Sequence, residues 1–187
     1  LTDVGYISRN SSWFPNDSTI NIYDAAEHIT EYEKYLWNSS TNAWRNNLRS
    51  ITKYDTNNNL IFIESYLWDT STEAWKGLDK RVYSYDSNHN RLLYEQYRWD
   101  TNSNAWHVSV KNINEYDENK NELSREYYGW NAILNALVGT EKSESTYNES
   151  NQLTSYIRYK WDQTTTSWVN SNKTENTYDE QGNLTVN

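Results

Sequence analysis

The chain has 187 residues, a net charge of −9 and 16% aromatic residues, with no Cys, no Met and only two Phe. This charge argues against nucleic acid, whose phosphates need a basic footprint, and against an anionic membrane surface. The missing cysteines exclude a disulfide framework and a thiolate metal site. No apolar run reaches the length of a membrane span, so no membrane insertion is expected. The aromatic residues are almost all Tyr and Trp, which predicts a thin structure whose buried surface consists of amphipathic rings. The chain begins at Leu1 without a signal-peptide pattern, which reads as a mature product or an excised fragment.

Residues 1–22 read as the tail of a repeat, with Tyr6 in its first aromatic slot and Trp13 in its second. The beat then becomes regular. Tyr23, Tyr54, Tyr85, Tyr116, Tyr147 and Tyr178 are each 31 residues from the last. Trp37, Trp68, Trp99, Trp130 and Trp161 keep the same step, as do Trp13, Trp44, Trp75, Trp106 and Trp168, with Leu137 in the one missing place. The full units are 23–53, 54–84, 85–115, 116–146 and 147–177, and 178–187 opens another. One repeat-array domain, 1–187, is therefore expected.

Each unit opens on a polar turn, such as Tyr54-Asp55-Thr-Asn-Asn-Asn59, whose Asp and Asn side chains bond their own backbone. A strand follows (Leu60 to Trp68), then a second polar turn from Trp68 to Trp75, then a strand returning to the next Tyr. Two strands per unit joined by short turns predict an all-β array of tandem antiparallel hairpins. It would hold about twelve short strands, as a long twisted sheet or an open β-solenoid. The stretch Ala132–Val138 is the exception, where a helical turn would fit. Parity puts Tyr35, Tyr66, Tyr97, Tyr128 and Tyr159 on the same face as the first-series tryptophans. An acidic series, Glu33, Glu64, Glu95 and Glu126, broken by Ile157, lies on the first strand, and a basic series, Arg49, Lys80, Lys111, Lys142 and Lys173, on the returning strand. Set opposite one another, these would form cross-strand ion pairs that fix register.

Little here suggests catalysis. His28, His89 and His107 occupy different phases of the repeat, there is no phosphate loop or nucleophile elbow, and the carboxylates recur in phase. A glycosidase needs one unique carboxylate pair rather than a ladder of equivalent ones. The expectation is that the protein is not an enzyme and has no catalytic residue or cofactor. Calcium is a separate question. The sets Asp55, Asn57, Asn59; Asp86, Asn88, Asn90; and Asp117, Asn119, Asn121 place oxygens at alternate positions. Without a closing bidentate Glu, they read first as hairpin turns and only second as calcium loops. The aromatic ladder of Tyr35, Trp37, Tyr66, Trp68, Tyr97, Trp99, Tyr128, Trp130, Tyr159 and Trp161 is the candidate ligand-binding surface, with rings suited to sugars. The first reading of most of these rings is nevertheless that they are the core, and a thin sheet lets both hold. Unit 116–146 departs from the beat. Its second turn is apolar, and Ile133, Leu134, Leu137 and Val138 are candidate partner contacts. A local repacking, with Leu137 filling the Trp slot, is the competing reading.

The unit, in forms such as Tyr178-Asp-Glu-Gln-Gly-Asn-Leu-Thr and Tyr159-Lys-Trp161-Asp-Gln-Thr-Thr-Thr-Ser-Trp168, resembles tandem repeats of secreted Bacteroidetes surface proteins exported by the type IX system. The resemblance covers Tyr6 to Asn187. It implies an extracellular or cell-surface location, and the family has no assigned catalytic residues. The Tyr-Asp-x-x-Gly-Asn turn is more loosely similar to the YD repeats of Rhs-type proteins. The Trp-rich hairpin also resembles choline- and glucan-binding repeats without their signature motifs. The expected function is a non-enzymatic extracellular module: a spacer, adhesin segment or protein-interaction surface. The alternatives are a carbohydrate-binding module using the Tyr/Trp ladder and a subunit of a self-assembling surface filament. Expected partners are other surface proteins, glycans or, end to end, further copies of the chain.

Overall fold

A computed structural model describes residues 2–9 and 12–185. All its regular structure is β. The strands are β1 (Thr2–Arg9), β2 (Ser12–Tyr23), β3 (Ile29–Asn38), β4 (Ala43–Tyr54), β5 (Leu60–Asp69), β6 (Ala74–Tyr85) and β7 (Arg91–Asp100). They continue as β8 (Ala105–Tyr116), β9 (Glu122–Asn131), β10 (Ala136–Tyr147), β11 (Leu153–Asp162), β12 (Ser167–Glu175), β13 (Thr177–Tyr178) and β14 (Leu184–Thr185). Strands β1 to β12 hydrogen-bond in chain order in one open antiparallel sheet, and β13–β14 form a small separate hairpin. Two compact units are present, Leu1–Val82 with Tyr97–His107, and Tyr83–Gln96 with Val108–Asn187.

The opening turn of each unit is built by one side chain. Asp55 Oδ1 accepts the N–H groups of Asn57 and Asn59 at 2.8 and 2.9 Å, and Oδ2 accepts the Asn59 amide at 2.9 Å. The Asn58 N–H donates to the Asp55 carbonyl at 3.1 Å, closing the turn. Asp86, Asp117 and Asp179 repeat this network, Asn148 and Gln152 do it with amides, and Asp24 does it with His28 Nδ1 at 3.0 Å. Each turn needs one left-handed residue, filled by Glu27, Asn58, His89, Lys120, Asn151 and Gly182 in turn. At the other end of each hairpin a second cap works alike: Asn38, Asp69, Asp100, Asn131 and Asp162 accept the N–H two residues on.

The first hairpin pairs in a different register from the later ones. Tyr6 lies opposite Pro15 and Trp13 opposite Ser8, so the two expected slots do not face each other. In the later hairpins the first aromatic slot is followed by the capping Asp or Asn. Here Ile7 stands in that place, and pairing runs on to Arg9 and Ser12. Residues 132–135 form a tight turn rather than a helical one, with β10 starting at Ala136.

Within the hairpins β3–β4, β5–β6, β9–β10 and β11–β12, the returning strand carries one bulged residue, respectively Asn47, Leu78, Thr140 and Ser171. The bulge keeps the aromatic slots and the ion-pair slots of both strands on one face despite an unequal residue count. No hydrophobic side chain among the described residues is fully buried. The most buried side chains are polar, Asn112 (6% exposed), Asn114 (6%) and Ser143 (2%). Apolar burial is thus shared in halves between rings, as the composition implies.

Candidate functional site

The hairpin β5–β6 shows how one unit builds its aromatic face. Trp68 faces Trp75, Tyr66 faces Gly77 and Glu64 faces Lys80. The predicted ion pairs form across the strands: Glu33–Arg49 at 3.7 Å, Glu64–Lys80 at 3.1 Å, Glu95–Lys111 at 3.2 Å and Glu126–Lys142 at 2.9 Å. Where Ile157 breaks the acidic series it stands opposite Lys173, which turns to Glu175 at 2.5 Å. The tryptophans of each hairpin meet edge to face, with centroids 5.1 Å apart for Trp37–Trp44, Trp99–Trp106 and Trp161–Trp168 and 5.2 Å for Trp68–Trp75.

The tyrosine hydroxyls on this face are engaged by the array itself. Tyr35 donates to Glu33 at 2.6 Å, Tyr159 to Glu144 at 2.5 Å, and Tyr128 to Glu126. Donation to a carboxylate holds the Tyr35 and Tyr159 hydroxyls above the ordinary phenol range. Desolvation is the leading cause of the same upward shift at Tyr66 and Tyr128. Burial alone would raise Glu126, but bonds from Tyr128 and Lys142 hold it below its ordinary value. Lys80 lies over the rings of Phe62 and Tyr97 at 5.7 and 5.2 Å, and Lys142 over Tyr159 at 5.0 Å.

Two glycines, 62 residues apart, organise the tryptophans. A Cβ on Gly77 would lie 2.5 Å from atoms of Trp99 and Trp106, and one on Gly139 would lie 2.4 Å from Trp161 and 2.5 Å from Trp168. The next hairpin's Trp pair therefore rests on bare backbone. The indole N–H completes the contact: Trp106 Nε1 donates to Tyr66 Oη at 3.3 Å and Trp168 Nε1 to Tyr128 Oη at 3.1 Å. In the hairpin before β5–β6 the same slot, opposite Tyr35, holds Asn46. There no hydrogen bond or ring contact joins Trp68 or Trp75 to Tyr35. Sequence reasoning missed these glycines because a lone Gly in a strand reads only as a weak point. The available signal was their double-repeat spacing. Val108 fills the corresponding slot in β8, and the hairpin after it is the one that carries Leu137 instead of the second Trp.

The other candidate residues fall as follows. Leu137 faces Trp130 and so fills the Trp slot. Ile133, at 94% exposed, and Leu134, at 50%, project from the turn. Asn131 still caps that turn, accepting their N–H groups at 3.0 and 3.1 Å. Val138 is half-buried. The carboxylates of Asp55, Asp86 and Asp117 face their own turns, while Asn57, Asn88 and Asn119 contribute backbone N–H groups to them. His28 stacks on Tyr54 at 4.2 Å, and His107 lies 3.6 Å from Asp100.

No protein-family model and no curated protein matches the chain. Among solved structures it is similar to a protein of unknown function from Bacteroides fragilis, with 21% identity over 67% of this chain and 91% of that one and a TM-score of 0.40. A DUF3836 family protein from Bacteroides vulgatus gives 22% identity over 51% of this chain and 92% of that one, TM-score 0.35. The structure of TcdB2-TccC3-TEV gives 12% identity over 98% of this chain and 12% of that one, TM-score 0.45. These are likenesses of β architecture alone.

Proposed function

We propose that the chain is a non-enzymatic extracellular repeat module, a spacer that presents an interaction surface. The observation that carries this reading is the engagement of the repeated polar groups by one another. Turn carboxylates hold turn N–H groups, Tyr35, Tyr128 and Tyr159 donate to glutamates, and Trp106 and Trp168 donate to tyrosines. Such groups build a scaffold, and stability then accumulates repeat by repeat. Deleting residues 85–115, one whole unit, tests the modularity. The shortened chain is expected to keep a β-sheet circular dichroism spectrum and a cooperative melt, and a collapse to an unfolded chain counts against a modular array. An antibody raised against the chain should label intact source cells, and labelling only after lysis contradicts the extracellular location.

The partner contact in this reading is the β9–β10 turn, because Ile133 is 94% exposed where the sister turns carry Ser71 and Asn102. Restoring a polar turn with Ile133→Asn and Leu134→Ser is expected to reduce association with surface-protein partners, or of the chain with itself, while leaving the melt unchanged. Sedimentation and pull-down that show no difference between this variant and wild type remove that role.

A further inference from the structure

We infer that the groove beside Trp75 is a binding subsite for a neutral sugar ring, a role independent of the scaffold reading above. It is lined by Arg49, Ile51, Glu64, Tyr66 and Trp75 and holds roughly 280 Å³, near the lower end of small-ligand pockets. The register creates it: Arg49 pairs with Tyr66 and Ile51 with Glu64 across β4 and β5, so four of the five side chains converge from two neighbouring rungs. Trp75 closes the set from β6.

The reason the groove is open lies in the slot residue. At Gly77 and Gly139 the following tryptophans lie on the backbone and donate their indole N–H to a tyrosine. Asn46 carries a side chain where those glycines have none, and Trp75 makes no corresponding bond to Tyr35. Its N–H and the part of its ring turned away from Trp68 line the groove. Arg49 is similarly underused. Its Glu33 contact is a long 3.7 Å and its side chain is 42% exposed, so the outer guanidinium N–H groups, unlike the buried Nε, can turn to a ligand.

Sugar recognition needs these parts together. The apolar face of a pyranose stacks on an indole or phenol ring, and its hydroxyls both donate and accept, so a carboxylate and a guanidinium side by side satisfy neighbouring hydroxyls. Arg49 and Glu64 line the groove and are paired in turn with Glu33 and Lys80, so the charges around it balance, which favours a neutral ring over a uronate or sulfated one. Ile51 supplies the apolar floor.

Isothermal titration of the whole chain with cellohexaose, mannohexaose, xylohexaose and hexagalacturonate tests this. At least one neutral hexaose is expected to bind, more tightly than hexagalacturonate. Trp75→Ala and Glu64→Gln should each weaken it by about tenfold or more. Trp13→Ala, an exposed tryptophan outside the groove, should not. Asn46→Gly should also weaken binding although it alters no lining residue, because it lets Trp75 settle onto the backbone. Glu64→Gln keeps the side-chain shape, so it reports on the site even if Trp75→Ala disturbs the fold. No binding of any neutral hexaose, tighter binding of hexagalacturonate, or binding unaffected by Glu64→Gln and Asn46→Gly would overturn the assignment.

Discussion

The slots at Gly77 and Asn46 stand in adjacent repeats of nearly identical design, yet they treat the next tryptophan pair differently. Over Gly77, Trp99 and Trp106 meet bare backbone and Trp106 bonds Tyr66. Over Asn46, Trp68 and Trp75 stay joined to each other but not to Tyr35. One side chain, three heavy atoms beyond Cβ, separates a structural aromatic from an available one. The packing of the ladder is thus set locally, at the residue opposite the tyrosine.

The largest expected effect comes from filling a glycine slot. Gly77→Val places atoms where two indole rings already lie, and should cost about 1–3 kcal/mol by overpacking. Asn46→Val, at the open slot, should stay within about 0.5 kcal/mol of wild type. Urea unfolding measures both, and equal costs would erase the distinction between the slots. Next in size is a tyrosine comparison. Tyr128 donates to Glu126 and accepts from Trp168, whereas Tyr35 only donates to Glu33. Tyr128→Phe should therefore cost about 1 kcal/mol more than Tyr35→Phe, the worth of one further hydrogen bond.

The pH dependence follows from the same bonds. Tyr35, Tyr66, Tyr128 and Tyr159 all have hydroxyls raised above the ordinary value of 10.0 in the folded chain. Their contribution is fully present below that value and is lost as pH rises past it, through the folded-state titration. Glu126 and Glu144 are held below 4.5, so their contribution is present above 4.5 and is lost as pH falls through the folded-state value. A melt series across pH, with ultraviolet titration of the phenols, should show a late-ionising set of tyrosines that disappears in urea. The smallest expected effect is that of calcium. Asp55, Asp86 and Asp117 already accept the N–H groups of their own turns, so calcium or EDTA should leave the melting temperature unchanged. A rise with calcium would give those turns a second role.

Much of this was readable in the sequence because a repeat shows its periods. The 31-residue step located the strands, the polar turns and the acidic-basic pairing, and alternation put Tyr66 and Trp68 on one face with Glu64. Other features were hidden for physical reasons. A bulge such as Leu78 changes the count of a strand by one without changing its composition, so only pairing reveals it. The first hairpin pairs in another register, with Tyr6 opposite Pro15, although the Tyr6 and Trp13 phases match those of the later units. Gly77 and Gly139 matter through what rests on them, and that information is carried by the next repeat.

Hydrogen exchange of the indole N–H groups, followed by NMR with each resonance assigned by a single Trp→Phe variant, decides whether the residue opposite the tyrosine sets the fate of the next tryptophan. The Trp106 and Trp168 indole protons should exchange slowly, held by Tyr66 and Tyr128, while that of Trp75 exchanges at a near-solvent rate. Equal protection of all three, or a protected Trp75 beside an unprotected Trp106, would contradict it.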